Sequence, residues 1–323
     1  MRYIFAGSSA FGIPALRGLL EIGQPQLVVS QPDKAAGRHL RPQPCPLAEF
    51  AASQGLELFQ PEDINSPESL DRIRKLDPEL IVTASYGGLL KRELRKMPAL
   101  GAINLHPSLL PLYRGATPIQ SSLLNGDAKT GMTIFKLAAR LDAGPILAQQ
   151  EIPIARDDNF SSLHDKLAIL GAEMLLDLIG AMRRGVIEPW EQNESLATHT
   201  SKLQKNDLQL DWDQPAVQVL NHVRAFSLVP GAFSWLRGSP LKILKALPTE
   251  ETAQNTPGTI AGIVRNTGFK VNCRDLQLLV LQVQPAGKKA MDAWAFQLGA
   301  RLDEADGFSP DKQTSPQNIK QEE

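Results

Sequence analysis

Apolar positions in the first part of the chain come in short unbroken runs, separated by stretches with helical spacing. Residues 2–6 read as a strand, GSSAFG as a loop, and residues 10–22 as a helix with Leu16, Leu19 and Leu20 on one face. A strand over 26–30, a helix over 45–53, a short strand over 56–59 and a helix over 67–76 lead into the continuous apolar run ELIVTASYG. A run without polar alternation fits a strand buried on both faces. The alternation predicts an α/β fold: a Rossmann-like, doubly wound, mainly parallel sheet whose ligands gather at the carboxyl edge.

A strand over 101–104, an irregular loop, a helix over 117–125, paired strands over 130–137 and 146–152, and a long helix over 161–184 complete a first domain of residues 1–189. Residues 185–207 are mixed and polar with no sustained period, and 190–207 read as a linker. Strands over 236–247, 258–265, 269–273 and 277–284, separated by turn residues, predict a small OB-like β-barrel over 208–308. The remaining 309–323, SPDKQTSPQNIKQEE, are polar and Pro-containing and are expected to be disordered.

At 323 residues with 42% hydrophobic and 21% charged positions, the chain suits two ordinary folded domains and excludes a largely disordered one. The net charge of −1 gives no global basic field, so a nucleic-acid partner has to be met locally. Two cysteines, Cys45 and Cys273, allow at most one disulfide and form no CxxC pair; a reducing, cytoplasmic setting and no metal are expected. No apolar run is long enough to cross a membrane, and the opening segment is broken by Gly, Ser and Pro. A soluble, uncleaved monomer is the expectation.

The loop GSSAFG lacks the GxGxxG order and no GK[ST] follows, which favours a tight turn over a dinucleotide site. GAINLHPSLLPLYRGATPIQ carries more, because a buried strand runs directly into Asn104 and His106. Two positions apart on a strand, their side chains project to one side, so an amide and an imidazole share the carboxyl edge of the sheet. Neither HxxxH nor HExxH occurs among the five histidines, which argues against a metal role for His106. Asp142, in LDAGPIL, reads on its own as a turn residue.

NLHPSLLPLYRGATPIQSSLLNGD, followed after TGMTI by RLDAGPIL, resembles the signature of the folate-dependent formyltransferase family. The resemblance implies that Asn104, His106 and Asp142 form a catalytic trio, that Ser108, Leu109, Leu110 and Pro111 bind the folate, and that the donor is 10-formyltetrahydrofolate. QPDKAAGR resembles the loop with which the methionyl-tRNA-formylating members reach the acceptor arm, with Ala35 replacing Pro and His39, Leu40 and Arg41 replacing Gly-Lys-Lys. FKLAARLDAG departs too, with Leu137, Ala138 and Ala139 where the family more often has a Met-Asp type sequence. THTSKLQKNDLQLDW, RAFSLVPGAFSWL and LQVQPAGKKAMDAWAF resemble their second domain, a small barrel that holds tRNA. Arg38, Arg41, Lys202, Lys205, Lys288 and Lys289 become candidates for phosphate contacts with an initiator methionyl-tRNA, each otherwise a solvated surface charge.

In formyl transfer the resemblance gives each residue a task. Asn104 and His106 donate to the oxyanion of a tetrahedral intermediate, and Asp142 fixes the imidazole tautomer and favours its protonated form, or orders a water that relays protons. Tyr113 and Arg114 either shape the folate entrance or pack the loop. Two rivals remain: formyl transfer to a small acceptor, such as a sugar-nucleotide amine or water, and a folate- or RNA-binding module without catalysis.

Overall fold

The computed structural model describes residues 1–36 and 41–311, and at Ala36 and Arg41 the backbone alone. Contacts divide the chain into two units. The first comprises Met1–Pro118, Lys129–Pro153 and His164–Ser201; the second comprises Ile119–Ala128, Ile154–Leu163 and the chain from Lys202 onward. The predicted linker is therefore split: its part up to Ser201 belongs to the first unit, where Ile146 and Trp190 exchange backbone hydrogen bonds of 2.8 and 3.0 Å.

The first unit is built on β1 (Tyr3–Gly7), β2 (Leu27–Val29), β3 (Lys34–Ala36), β4 (Arg41–Gln43), β5 (Leu58–Phe59), β6 (Leu80–Ala84), β7 (Ala102–His106), β8 (Arg114–Gly115), β9 (Lys129–Lys136), β10 (Ile146–Pro153) and β11 (His199–Thr200). The main sheet runs β10-β9-β7-β6-β1-β2-β5. Its strands from β7 to β5 pair in parallel, while β9 and β10 are antiparallel additions at one edge. Every residue of β1 and β6 is buried, as helices on both faces require. Those helices include α1 (Ile13–Leu20), α2 (Pro46–Ser53), α3 (Pro67–Lys75), α4 (Arg92–Lys96) and, after α5 (Pro118–Leu124), the long α6 (Phe160–Arg184).

Local chemistry sets where these helices start. The Ser66 hydroxyl accepts from Ser69 N at 3.2 Å, Pro67 follows in the first turn with Glu68, and Arg72, Arg74 and Lys75 occupy the last turn, where they complement the helix dipole. Residues 10–22, expected as one helix, begin instead as a 3₁₀ turn over Ala10–Gly12, capped by the Ser9 hydroxyl, before α1 proper. Leu16 and Leu19 of α1 are fully buried, a gain of about 1.5–3 kcal/mol for each side chain.

The second unit contains α5, α7 (Ala216–Ala225), α8 (Ala293–Ala300) and strands β12 (Ala232–Leu236), β13 (Ser239–Thr252), β14 (Ile260–Val264), β15 (Gly268–Asn272), β16 (Leu276–Pro285), β17 (Met291–Asp292) and β18 (Phe308–Ser309). They form an antiparallel sheet in the order β14-β15-β16-β13-β12-β18, with β17 beside β16. Its two edges meet: Ile260 N donates to Asp306 O at 3.0 Å and Phe308 N to Gly258 O at 2.8 Å, closing the curl into a barrel. Inside it Trp212 stacks on Phe308 at 5.0 Å between ring centroids, and its indole N–H reaches Ser234 Oγ at 3.1 Å.

Two expectations need correction. The strand expected over 236–247 starts later, at Ser239: Leu236 ends the preceding strand β12 and pairs with Ser239, and the two residues between, Arg237 and Gly238, both with positive φ, make the turn of a hairpin. Disorder from 309 fails at its start, because Ser309 is buried and pairs with Trp235, sealing the barrel's edge; residues 312–323 lie outside the described residues. Among the described residues, no helix is long and apolar enough to cross a membrane.

Candidate active site

Strand β7 delivers Asn104 and His106 to the carboxyl edge, and its neighbours supply their partners. Thr83 of β6 sits opposite Asn104 in the parallel register, and Thr133 of β9 opposite His106. The Thr83 hydroxyl lies 2.6 Å from Asn104 Oδ1 and 3.0 Å from Ile103 O. It holds one proton, and 2.6 Å is an O–H···O separation, shorter than N–H···O bonds usually are. Asn104 Oδ1 thus accepts from Thr83, and the amide N–H₂ points the other way, from a half-buried side chain.

His106 is buried, with Nε2 3.0 Å from Tyr113 O and Nδ1 3.7 Å from Asp142 Oδ2. A carbonyl oxygen only accepts, so Nε2 carries the ring proton and Nδ1 is the free position. The expectation that Asp142 fixes the tautomer is corrected: Tyr113 does so, and 3.7 Å is too long for a direct hydrogen bond to Asp142. Burial lowers the His106 pKa, against opposing pulls from the Asp142 carboxylate and the Tyr113 carbonyl. The neutral imidazole is the resting form.

Asp142 lies on the crossing between β9 and β10 with a left-handed φ of +49°. Its Oδ2 accepts from Gly115 N at 2.8 Å. Two glycines permit this approach: a Cβ on Gly144 would stand 1.8 Å from Lys136 O, and one on Gly115, whose φ is +118°, would stand 2.2 Å from Thr200 O.

The loop after His106 is held from inside the fold. Thr133 Oγ1 donates to Ser108 O at 2.6 Å and accepts from Leu110 N at 3.2 Å and Gln149 Nε2 at 2.8 Å. Gln149 Nε2 also reaches Leu110 O at 2.9 Å. Ser108 and Leu110 are buried, Leu109 and Pro111 half-buried, and the Ser108 hydroxyl is spent on Leu112 O at 2.6 Å. Of the two readings for Arg114, packing is the one the structure adopts. Arg114 is 2% exposed, its guanidinium bonded twice to Gln192 Oε1 at 3.1 and 2.8 Å and twice to Glu194 at 3.1 and 2.9 Å.

Sequence reasoning missed Thr83, Thr133, Gln149, Gln192 and Glu194. Thr83 and Thr133 sit in apolar runs where a lone Thr reads as strand filler. Gln192 and Glu194 fall in the aperiodic stretch read as linker, where no local pattern signals a partner 78 or 80 positions away.

The basic candidates are placed unevenly. Arg38 lies outside the described residues, and of Arg41 the backbone alone, in β4, is described. Lys202, Lys205, Lys288 and Lys289 are exposed, and among the described residues none pairs with a carboxylate. Cys45 and Cys273 are both free thiols, and burial pushes the Cys273 thiol up to about 12, which makes it inert. Among the described residues, no group of three or more His, Cys, Asp or Glu is arranged to hold a metal ion.

Comparison with known proteins places the chain in a family. Residues 12–179 match the formyl transferase family model and residues 202–301 that of the formyl transferase C-terminal domain. The methionyl-tRNA formyltransferase of Methylococcus capsulatus is 39% identical over 297 residues, covering 92% of this chain and 96% of that protein. Among solved structures, HypX from Aquifex aeolicus in complex with tetrahydrofolic acid superposes with a TM-score of 0.63 at 18% identity, over 92% of this chain and 47% of that one. An N-formyltransferase from Helicobacter canadensis, solved with folinic acid and dTDP-3-aminofucose, gives 0.63 at 16% identity over 88% of this chain and 99% of its own. These two likenesses bear on the fold. The family matches, spanning both units, and the close relative together establish that the chain belongs to the formyl transferase family.

Proposed function

We propose that this protein transfers the formyl group of 10-formyltetrahydrofolate to the α-amino group of methionyl initiator tRNA, in the cytoplasm where translation starts. The observation that carries the reading is identity at 39% along both units to proteins named methionyl-tRNA formyltransferase, whereas the sugar-acting neighbour shares the fold at 16%. Lys202, Lys205, Lys288 and Lys289, exposed and without a carboxylate partner among the described residues, support a polyanionic acceptor.

The acceptor α-amine has a pKa of about 7.7–8.0, so a useful neutral fraction attacks the formyl carbon without a covalent nucleophile on the enzyme. As the new C–N bond forms, the carbonyl oxygen becomes an oxyanion, to which the Asn104 N–H₂ donates. His106 Nδ1, unprotonated at rest, takes the proton released by the attacking nitrogen, and the nearby Asp142 carboxylate stabilises the imidazolium. When the C–N10 bond of the donor breaks, that proton goes to N10, leaving tetrahydrofolate and a formylated amine. The 108–112 loop, with Ser108 and Leu110 turned inward, offers backbone groups to the folate, and the segment bearing Arg38 and Arg41 contacts the acceptor arm.

The test incubates the purified chain with 10-formyltetrahydrofolate and charged initiator tRNA, beside a dTDP-amino sugar and a water-only control. Formylmethionyl-tRNA as the product, lost in Asn104→Ala, is expected. Formylated sugar or free formate as the main product would replace this reading with the small-acceptor one, and folate binding without turnover would leave a binding module.

A further inference from the structure

Gln192 makes four hydrogen bonds, two joining the predicted linker to the loop carrying Asp142 and two to Arg114. Its Nε2 donates to Asp142 O and Gly144 O, both at 2.8 Å, and its Oε1 takes the two Arg114 bonds. The side chain is 8% exposed. Glu194, two residues on, is chelated by Arg114 and reached by Arg140 from the same loop at 3.0 Å. Asp142 needs such a hold: its left-handed φ is a sparsely populated state, and its segment has neither strand nor helix to fix it. Arg114 follows directly on Tyr113, whose carbonyl orients His106, so one buried cluster touches the chain beside both the histidine and the aspartate.

We propose that Gln192 is a positioning residue for the reaction, acting through the main chain of Asp142 and Gly144 to hold the Asp142 carboxylate beside His106 and Gly115. The inference rests on the function proposed above and deepens it: the stretch before the second unit belongs to the catalytic apparatus. An amide is required, because only a group with both a donor and an acceptor end satisfies two carbonyls on one side and a guanidinium on the other.

Two variants separate positioning from mere support of Arg114. Gln192→Glu keeps an acceptor for Arg114 but turns an oxygen toward two carbonyls, so the loop is repelled; Gln192→Met removes both ends. Positioning predicts that kcat with initiator tRNA falls on the order of 10- to 100-fold in both variants while KM for tRNA and folate stays near parental values. Parental kcat in Gln192→Glu, with loss confined to Gln192→Met, would overturn the proposal. A parent chain that transfers no formyl group counts against the proposed function alone. A crystal structure of Gln192→Glu then decides: a displaced Asp142 carboxylate supports positioning, and an unchanged bond to Gly115 N refutes it.

Discussion

The carbonyl of Tyr113 stands 3.0 Å from Nε2 of His106, which places the ring proton there and leaves Nδ1, facing Asp142 at 3.7 Å, as the unprotonated nitrogen. Burial holds the ring neutral below its ordinary pKa of 6.5, so Nδ1 is a ready proton acceptor at neutral pH. Turnover should fall below about pH 8 with the neutral fraction of the acceptor amine, and protonation of the buried imidazole should add a second acid limb below pH 6.5. A pH profile of kcat for the parent beside His106→Gln checks this: the lower limb should be missing from the variant, and a lower limb common to both would refute the neutral-imidazole assignment. His106→Ala should cost a factor on the order of 10²–10⁴ in kcat.

The same depression bears on stability. His106 and His222 both have folded pKa values lowered mainly by burial, with Asp142 opposing at the first and Asp207 and Asp211 at the second. Above about pH 6.5 both states are neutral and nothing is lost. As pH falls from there, the unfolded chain takes up protons first, and stability drops by about 1.4 kcal/mol per pH unit for each histidine until its folded pKa is reached. Between pH 6.5 and 5, above the usual carboxylate range, the melting temperature should decline, and His222→Gln should reduce the slope. A flat curve for the parent would contradict the burial argument.

Thr83 sets the face that Asn104 presents. Thr83→Val removes the proton that the amide oxygen accepts and frees the amide to turn, so kcat should fall by about 10-fold or more. Thr83→Ser keeps the hydroxyl and should retain most of the activity. Equal rates for Val and Ser variants would show that the amide is held by something else.

The four exposed lysines are expected to contribute by charge. Lys202→Ala, Lys205→Ala, Lys288→Ala and Lys289→Ala should each raise KM for tRNA and, where the lysine contacts a phosphate, lower the slope of log affinity against log salt by about 1. Folate binding should not change. Filter binding across a salt series distinguishes phosphate contacts from bystanders, which would leave the slope untouched.

Much of the first unit could be read from the sequence because its strands are apolar runs buried on both faces, as in Tyr3–Gly7 and Leu80–Ala84. Asn104 and His106 were visible for the same reason, as polar residues ending such a run. The second unit was harder. Its α8 buries only Ala293 and Gln297, which leaves no apolar stripe to recognise, and the Arg237-Gly238 turn lacks the Asn-Gly signature of a tight hairpin. The linkage from Gln192 to Asp142 spans 50 positions and has no local signal at all, because each residue is polar in its own neighbourhood and finds its partner only once the sheet has formed.

The pairing of Gly258–Ile260 with Asp306–Phe308 has a bearing on how the protein is made. Domains fold as units, those nearer the N-terminus first as synthesis proceeds. The first unit ends at Ser201, whereas the barrel waits for a strand translated about a hundred residues later. A nascent chain paused before Phe308 thus carries an open sheet with unpaired edges in its second unit, and that unfinished sheet is where aggregation during biosynthesis would begin.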